Sequence, residues 1–248
     1  MSGMSDRVRA MPMQPAVNIP VFLEVARAAG SRLVRSRMVW CLLAIDAMFL
    51  VLHLVITGVA IMDEAPASAN WARIDRDNSI SEIYEYVKFT IASGLIISLS
   101  IFRKRPNLVP LSIIMAILVL DNMLGFHEYL GPIIVPGHQN YGELLYSLLL
   151  AALCMALTWA GFRNANKVER QQIITVWAGI LVLGGFGVGV DAVHAKLVSW
   201  EILWADRWMG LVEDFGELVT ITLILSVCLS FVRNEFRSAV KASILKPA

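Results

Sequence analysis

Residues 38–62 read MVWCLLAIDAMFLVLHLVITGVAIM, a run in which the only charged side chain is that of Asp46. A hydrocarbon core of roughly 30 Å is crossed by about 20 predominantly apolar residues in an α-helix. Because lipid offers no hydrogen-bond partner to a bare backbone, such a run is expected to be helical. This stretch therefore predicts a transmembrane helix.

Five further apolar blocks of similar length follow along the chain. The composition agrees, since 57% of the residues are hydrophobic and 17% are charged, against about 45–50% and 25% in soluble domains. We predict an all-α, polytopic integral membrane protein with six transmembrane helices. Their predicted ranges are 38–62, 81–102, 108–133, 141–163, 172–198 and 211–232.

One six-helix transmembrane domain, residues 38–232, is predicted between two flanking segments. Residues 1–37 are interpreted as a disordered stretch followed by an amphipathic helix, over 19–37, that lies on the membrane surface. Residues 233–248 are interpreted as a basic tail. Ser79 and Glu82 match a capping box at the start of the second helix.

The expected partner of the whole chain is the lipid bilayer. No basic cluster resembles a nucleic-acid patch, so no nucleic-acid partner is expected. Cys41, Cys154 and Cys228 all fall inside apolar blocks without CxxC spacing, which favours packing in the core over disulfides or reactive thiols. Trp200, Trp204 and Trp208 recur at four-residue spacing and are interpreted as anchors at the membrane interface.

The distribution of Lys and Arg predicts the orientation. Residues 1–37, the 103–107 turn, the 163–171 loop and the tail hold 16 of the 21 basic residues. Cytoplasmic loops carry the excess of Lys and Arg in membrane proteins. We therefore predict a multi-pass protein of the cell (inner) membrane with both termini in the cytoplasm.

Most acidic residues fall on the predicted outer side, which holds 14 of the 20. The positive end of a helix dipole favours acids at helix N-termini and explains four of them. Those four are Glu82, Glu143, Glu213 and Asp214. The helix dipole does not explain Glu128, Asp191 and Asp121, which are expected near helix C-termini. Nor does it explain Glu85 and Glu217, which are expected a turn or more inside their helices. Charged residues at depth are costly and usually mark a functional site.

The spacing of these residues favours convergence on a metal. Asp191 and His194 are three residues apart and share a helix face. Asp214 and Glu217 have the same spacing, Glu213 and Glu217 are four apart, and Asp121 and Glu128 are seven apart. Helical bundles build di-iron and di-manganese sites from carboxylates and imidazoles on inward faces, although the Glu-x-x-His motif itself is absent here.

Mixed oxygen and nitrogen ligands suit iron, manganese or zinc, so a divalent metal is the predicted cofactor. The predicted ligands are Glu85, His127, Glu128, Asp191, His194, Glu213 and Glu217. Asp121 and Asp214 are predicted to orient the ligands or to act as a general base. The first functional hypothesis is a metal-dependent membrane enzyme that acts on a lipid-soluble substrate.

A proton- or cation-coupled transporter is the second hypothesis. Asp46 and His53 are seven residues apart, with Thr57 a turn further, and form a ladder with Asp121 and the outer cluster. The simpler interpretation of Asp46 and His53 is hydrogen bonding between helices. Against transport, the sequence suggests neither inverted repeats nor broken helices. The glycines at 184–189 either loosen the fifth helix or, as Gly185-x-x-x-Gly189 favours, let helices pack closely.

The third hypothesis is a non-catalytic membrane subunit in which the acidic layer is neutralised by salt bridges. Five basic residues are available on the predicted outer side, against 14 acids. They are Arg73, Arg76, Lys88, Lys196 and Arg207. This imbalance argues against complete internal pairing. An oligomer is compatible with all three hypotheses.

Overall fold

The computed structural model describes residues 36–62, 71–74 and 79–244, except for the side chains of 59–62, 140, 203–207 and 239–244. These residues form helices and turns, without a β-strand among them. The predicted interfacial helix over 19–37 falls almost entirely outside the described residues, as do the side chains of Trp204 and Asp206. The prediction of an all-α protein is confirmed for the part of the chain that is described.

Within the described residues, eight α-helices follow one another, with shorter helical turns between some of them. Pro106–Leu108 is a 3₁₀ turn that leads into the third helix, and Gly185–Val190 is a π-helical segment that joins the sixth to the seventh. The α-helices are α1 Arg37–Met62, α2 Ile80–Phe102, α3 Val109–Leu124, α4 Phe126–Ile134, α5 Gln139–Asn164, α6 Lys167–Gly184, α7 Asp191–Ser199 and α8 Leu203–Ile244.

Six helical stretches of the described part of the chain are long and apolar enough to cross a membrane, in agreement with the predicted number. They are Arg37–Gly58, Ile80–Phe102, Pro106–Leu124, Tyr141–Asn164, Lys167–Ser199 and Trp208–Ser238. Many large apolar side chains on these helices, such as Leu148, Leu149 and Met155, are exposed. Contact of these side chains with lipid would cost no free energy, whereas their contact with water would be unfavourable.

The longest helix, α8, is the centre of the bundle and packs against α1, α2, α6 and α7. Its inward residues Ile221, Ile224 and Cys228 are buried in the main apolar core. Cys154 is buried as predicted, whereas Cys41 is exposed. Gly179 lets α6 approach closely, since a Cβ there would lie 2.5 Å from Ile224 Cγ1.

Two helix starts are fixed by side-chain caps. Ser79 Oγ accepts a hydrogen bond from Glu82 N at 3.3 Å, which is one half of the predicted capping box. A complete capping box opens α6, where the Asn166 side chain accepts from Glu169 N and the Glu169 carboxylate accepts from Asn166 N. The sequence analysis missed this second cap.

The prediction of one continuous third helix over 108–133 is wrong. Gly125 adopts a left-handed conformation with φ +58° and ends α3, and α4 begins at the next residue. Glycine alone reaches this conformation without steric cost. Glu128 therefore lies in the first turn of α4 and not near the C-terminus of a long helix, and it no longer shares one helix face with Asp121.

The bundle has two polar ends of different charge. At one end, Arg105 pairs with Glu235 at 2.5 Å and Asn107 donates to Glu169 at 3.0 Å. We call this the basic end. The opposite end carries most of the carboxylates, and we call it the acidic end. Its carboxylates include those of Glu85, Asp121, Asp191, Glu213 and Glu217.

Candidate metal centre at the acidic end

Three side chains of the acidic end form a group that can hold a metal ion. Asp191, His194 and Glu213 each offer one ligand atom, and these atoms lie within 4.8 Å of one another. Ligand atoms at about 2.0–2.2 Å from one ion are at most about 4.4 Å apart. Side-chain shifts of well under an ångström would therefore close the group around an ion.

Local structure explains why these three residues meet. Asp191 and His194 lie on one face of α7, three residues apart, and α7 packs against α8, which carries Glu213. Gly210 on α8 lies opposite the imidazole, because a Cβ there would be 4.0 Å from His194 Cε1. The two helices are thus in ordinary van der Waals contact at the imidazole.

The group is partly open to its surroundings. Asp191 is exposed, whereas His194 and Glu213 are half-buried. Catalytic metal sites commonly use three protein ligands and keep further positions for water or substrate, whereas structural zinc sites are closed by four. One imidazole with two carboxylates is an oxygen-rich set that suits zinc, manganese or iron.

A second polar group lies beside the first, on α3, α4 and α5. Tyr146 donates a hydrogen bond of 2.7 Å to Asp121 Oδ1, and the other oxygen of Asp121 is 3.5 Å from His127 Nδ1. The hydrogen bond to Asp121 raises the pKa of His127, with help from the negative charges of Asp121, Glu128 and Glu143 and against the opposing effect of burial. His127 is thus held in a strongly acidic surrounding.

The helix that carries His127 is fixed by a close contact between two backbones. A Cβ on Gly142 of α5 would lie 1.9 Å from the carbonyl oxygen of Gly131 on α4. Only glycine at position 142 permits this approach. The contact holds α4, and with it His127, beside the group formed by Asp191, His194 and Glu213. His127 lies within electrostatic range of Asp191 and Glu213.

Deeper carboxylates extend the group into the bundle. Glu85 is buried and accepts a hydrogen bond of 3.1 Å from Asn122 Nδ2. The carboxylate of Glu217 packs against the π-helical segment, where a Cβ on Gly187 would lie 2.0 Å from Glu217 Oε1. Glu217 interacts electrostatically with Glu85, Asp214 and Glu213.

Three of the seven predicted ligands are therefore brought together. Of the other four, His127 and Glu128 lie at the second group, and Glu85 and Glu217 lie deeper. The Glu128 side chain is 63% exposed, with Oε1 3.8 Å from His127 Nε2. The metal-binding role of these four stays a prediction, as do the roles of Asp121 and Asp214. Sequence reasoning missed Tyr146 and Asn122, which hold Asp121 and Glu85 in place.

The close packing that the Gly185-x-x-x-Gly189 spacing favoured is not formed at those two glycines. A Cβ at Gly184, Gly185 or Gly189 would meet nothing within 4 Å, so these glycines are not helix–helix contacts. The stretch instead forms the π-helical segment, a kind of irregularity that is frequent at functional sites. Two of the described transmembrane stretches are thus irregular, this one and the one that ends at Gly125. The sequence suggested no broken helices, and a loosened fifth helix was only the less favoured interpretation.

The buried polar residues of α1 are hydrogen-bonded to neighbouring segments. Asp46 forms an ion pair of 3.0 Å with Lys88 on α2. His53 Nδ1 accepts from Ile74 N at 3.2 Å, and Thr57 Oγ1 is 3.3 Å from His53 Nε2. Lys88 was counted among the five bases available to the acidic layer, and its direct ionic partner is Asp46.

The fold and this group define a helical protein of the membrane-spanning kind with a carboxylate–histidine cluster at one end. The chain belongs to the family described as a domain of unknown function, DUF8692, whose model matches residues 102–232. The matched region contains Asp191, His194 and Glu213 and leaves out Asp46 and Lys88. No match is found among curated proteins or among solved structures.

Proposed function

We propose that the protein is a metal-dependent membrane enzyme whose centre is held by Asp191, His194 and Glu213. The observation that carries the proposal is the convergence of three ligand atoms within 4.8 Å on α7 and α8. By the positive-inside rule, the acidic end faces the outside of the cell membrane and both termini face the cytoplasm. The centre then lies close to the outer surface.

The charge balance of the acidic end supports a bound cation. Lys88 is buried with Asp46, and the ammonium of Lys196 stacks on the Trp200 ring at 5.4 Å. Two of the bases predicted for this side are thus engaged elsewhere. A divalent ion between the two carboxylates of the group would offset part of the remaining negative charge.

The surrounding residues are suited to the chemistry of such a centre. A bound divalent metal supplies a Lewis acid and a water whose pKa is lowered towards neutrality. Asp121 orients His127, whose raised pKa favours the protonated imidazolium and so a proton donor beside the centre. Asp214, on the same helix as Glu213, is the second candidate for orienting a ligand or moving a proton. The half-open position among transmembrane helices favours a lipid-soluble substrate.

Metal analysis of the purified protein tests this proposal. The wild type, prepared in mild detergent without chelator, is expected to carry near-stoichiometric iron, manganese or zinc. His194→Ala and Glu213→Gln are expected to lose it while still inserting into the membrane. His138→Ala is the matched control, since His138 precedes α5 and its ring packs on Tyr141 at 5.8 Å. Equal metal content in all four proteins would reject the proposal.

Cation- or proton-coupled transport is the second candidate function, and the interrupted helices at Gly125 and Gly185–Val190 favour it. Transporters commonly use discontinuous helices at their binding sites. Proteoliposomes with an imposed proton or cation gradient separate the two functions. Flux that Asp121→Asn abolishes would support transport, whereas stoichiometric metal without any flux would support the enzyme.

A further inference from the structure

A lysine ammonium group lies in the interior of the bundle, away from the candidate metal centre. Lys88 on α2 is 1% exposed, and Asp46 on α1 is fully buried. The Lys88 Nζ donates to Asp46 Oδ1 at 3.0 Å, to the Leu218 carbonyl oxygen at 2.6 Å and to Thr222 Oγ1 at 2.7 Å. All three ammonium protons are therefore used, and two helices, α1 and α8, supply acceptors to the nitrogen that α2 carries.

The surroundings of this ammonium contain further electron-rich groups besides its three hydrogen-bond acceptors. The second carboxylate oxygen of Asp46, Oδ2, is buried and has no hydrogen-bond partner among the described residues. The face of the Tyr84 ring lies 4.5 Å from Nζ, in the position of a cation–π contact. The carboxyl group of Glu85, one turn from Lys88, lies within electrostatic range of the ammonium group.

The geometry of these oxygens resembles the ligand shell of a large monovalent cation. Distances of 2.6–3.0 Å are too long for Mg²⁺, which needs about 2.0–2.1 Å, and mostly too long for Ca²⁺, at about 2.3–2.6 Å. Carbonyl oxygens replace the hydration shell of monovalent cations in channels. A single carboxylate in direct contact matches one positive charge.

We infer that Asp46, Leu218, Thr222 and the Tyr84 ring form a monovalent-cation site inside the bundle, which Lys88 fills with its own tethered ammonium group. The ligands that the site accepts are primary ammonium ions and dehydrated alkali cations of charge +1. The site shares no residue with Asp191, His194 and Glu213, so the inference stands apart from the proposed enzyme.

Removal of the tethered cation tests the inference. Thermal unfolding of Lys88→Ala in mild detergent is followed at constant ionic strength in choline chloride. The choline cation is too large to enter the site that Lys88 leaves. Potassium, sodium, ammonium or methylammonium chloride then replaces the choline salt stepwise. We expect the melting temperature to fall by on the order of 10 °C in choline. Small cations are expected to restore at least half of this loss in a saturable manner.

The double variant Lys88→Ala/Asp46→Asn is the matched control. It lacks the carboxylate and is expected to ignore the identity of the cation, as is the wild type, whose site is already filled. The inference is overturned if small cations stabilise Lys88→Ala no more than they stabilise the double variant. Should Lys88→Ala fail to fold, Lys88→Ser replaces it in the same series, because its short side chain leaves the same oxygens open to a cation, and the same two outcomes decide.

Discussion

The Lys88–Asp46 pair and the Asp191–His194–Glu213 group both place charged side chains among transmembrane helices, but they are built differently. The pair is balanced, fully buried and carried by regular helices. The group has two carboxylates and one imidazole, is partly open and lies next to a π-helical segment. The balanced pair is complete within the chain, whereas the unbalanced group has an excess of carboxylates that the proposed metal ion would offset.

The largest expected effect is on the balanced pair. Asp46→Ala leaves the Lys88 ammonium buried without its carboxylate and is expected to lower the free energy of unfolding by about 3–5 kcal/mol. Metal content per folded molecule is expected to stay unchanged. Denaturant unfolding in detergent, together with metal analysis, measures both quantities.

A double substitution serves as the control for this prediction. Lys88→Met with Asp46→Leu removes both charges and is expected to recover most of the lost stability, because apolar replacement of a whole buried pair is often close to neutral. A double variant that is as unstable as Asp46→Ala would show that the pair does not act as a balanced unit.

The second effect concerns the unbalanced group. Glu213→Gln removes one carboxylate ligand and is expected to weaken metal binding at least about 10–100-fold. In the metal-free protein, the free energy of unfolding is expected to change by less than about 1 kcal/mol. Titration with Mn²⁺ or Zn²⁺ measures the affinity. Glu201→Gln, an exposed acid of the same end, is the control and is expected to leave the affinity unchanged; equal losses would argue against a defined centre.

A third prediction concerns the π-helical segment beside the group. Gly187→Ala places a Cβ 2.0 Å from Glu217 Oε1, so the carboxylate must move, at a cost of about 1–3 kcal/mol in the free energy of unfolding. Gly185→Ala, two residues away, meets nothing within 4 Å and is expected to cost less than about 1 kcal/mol. Equal destabilisation by the two substitutions would contradict the account of Gly187.

The smallest effect concerns the titration of His127. Its pKa is raised above the ordinary value of 6.5 by the hydrogen bond to Asp121. The stability that this gives is complete below the ordinary pKa and is lost as pH rises through the folded pKa. Asp121→Asn is expected to lower the pKa of His127 and to remove this pH dependence. NMR titration of labelled histidine in chelator-treated protein measures the pKa, and an unchanged value would contradict the pairing.

The six membrane-crossing helices were predictable because a long apolar block implies a helix wherever lipid surrounds it. The break at Gly125 was not, since a single glycine inside an apolar run is common in unbroken membrane helices. It becomes visible only in the left-handed backbone there. The irregular stretch at 185–190 was weighed and assigned instead to close packing, because its glycine spacing fits both.

The part of the candidate site that depends on local spacing could be predicted from the sequence. Asp191 and His194 share a helix face by their separation of three residues, and the sequence indicates this directly. The approach of Glu213 depends on how α8 packs against α7, which spacing does not reveal. The pairing of Lys88 with Asp46 joins residues 42 positions apart on different helices. The sequence analysis assigned Lys88 to the outer side from its position near a helix end, which ignores the reach of a lysine side chain.

X-ray absorption at the metal edge of the purified protein tests the central claim most directly, because it reports the ligand atoms themselves. The account predicts one imidazole nitrogen and otherwise oxygen ligands at about 2.0–2.2 Å, with the imidazole contribution lost in His194→Ala and kept in His138→Ala. A sulfur shell, several imidazoles, or a spectrum that His194→Ala leaves unchanged would contradict a centre formed by Asp191, His194 and Glu213.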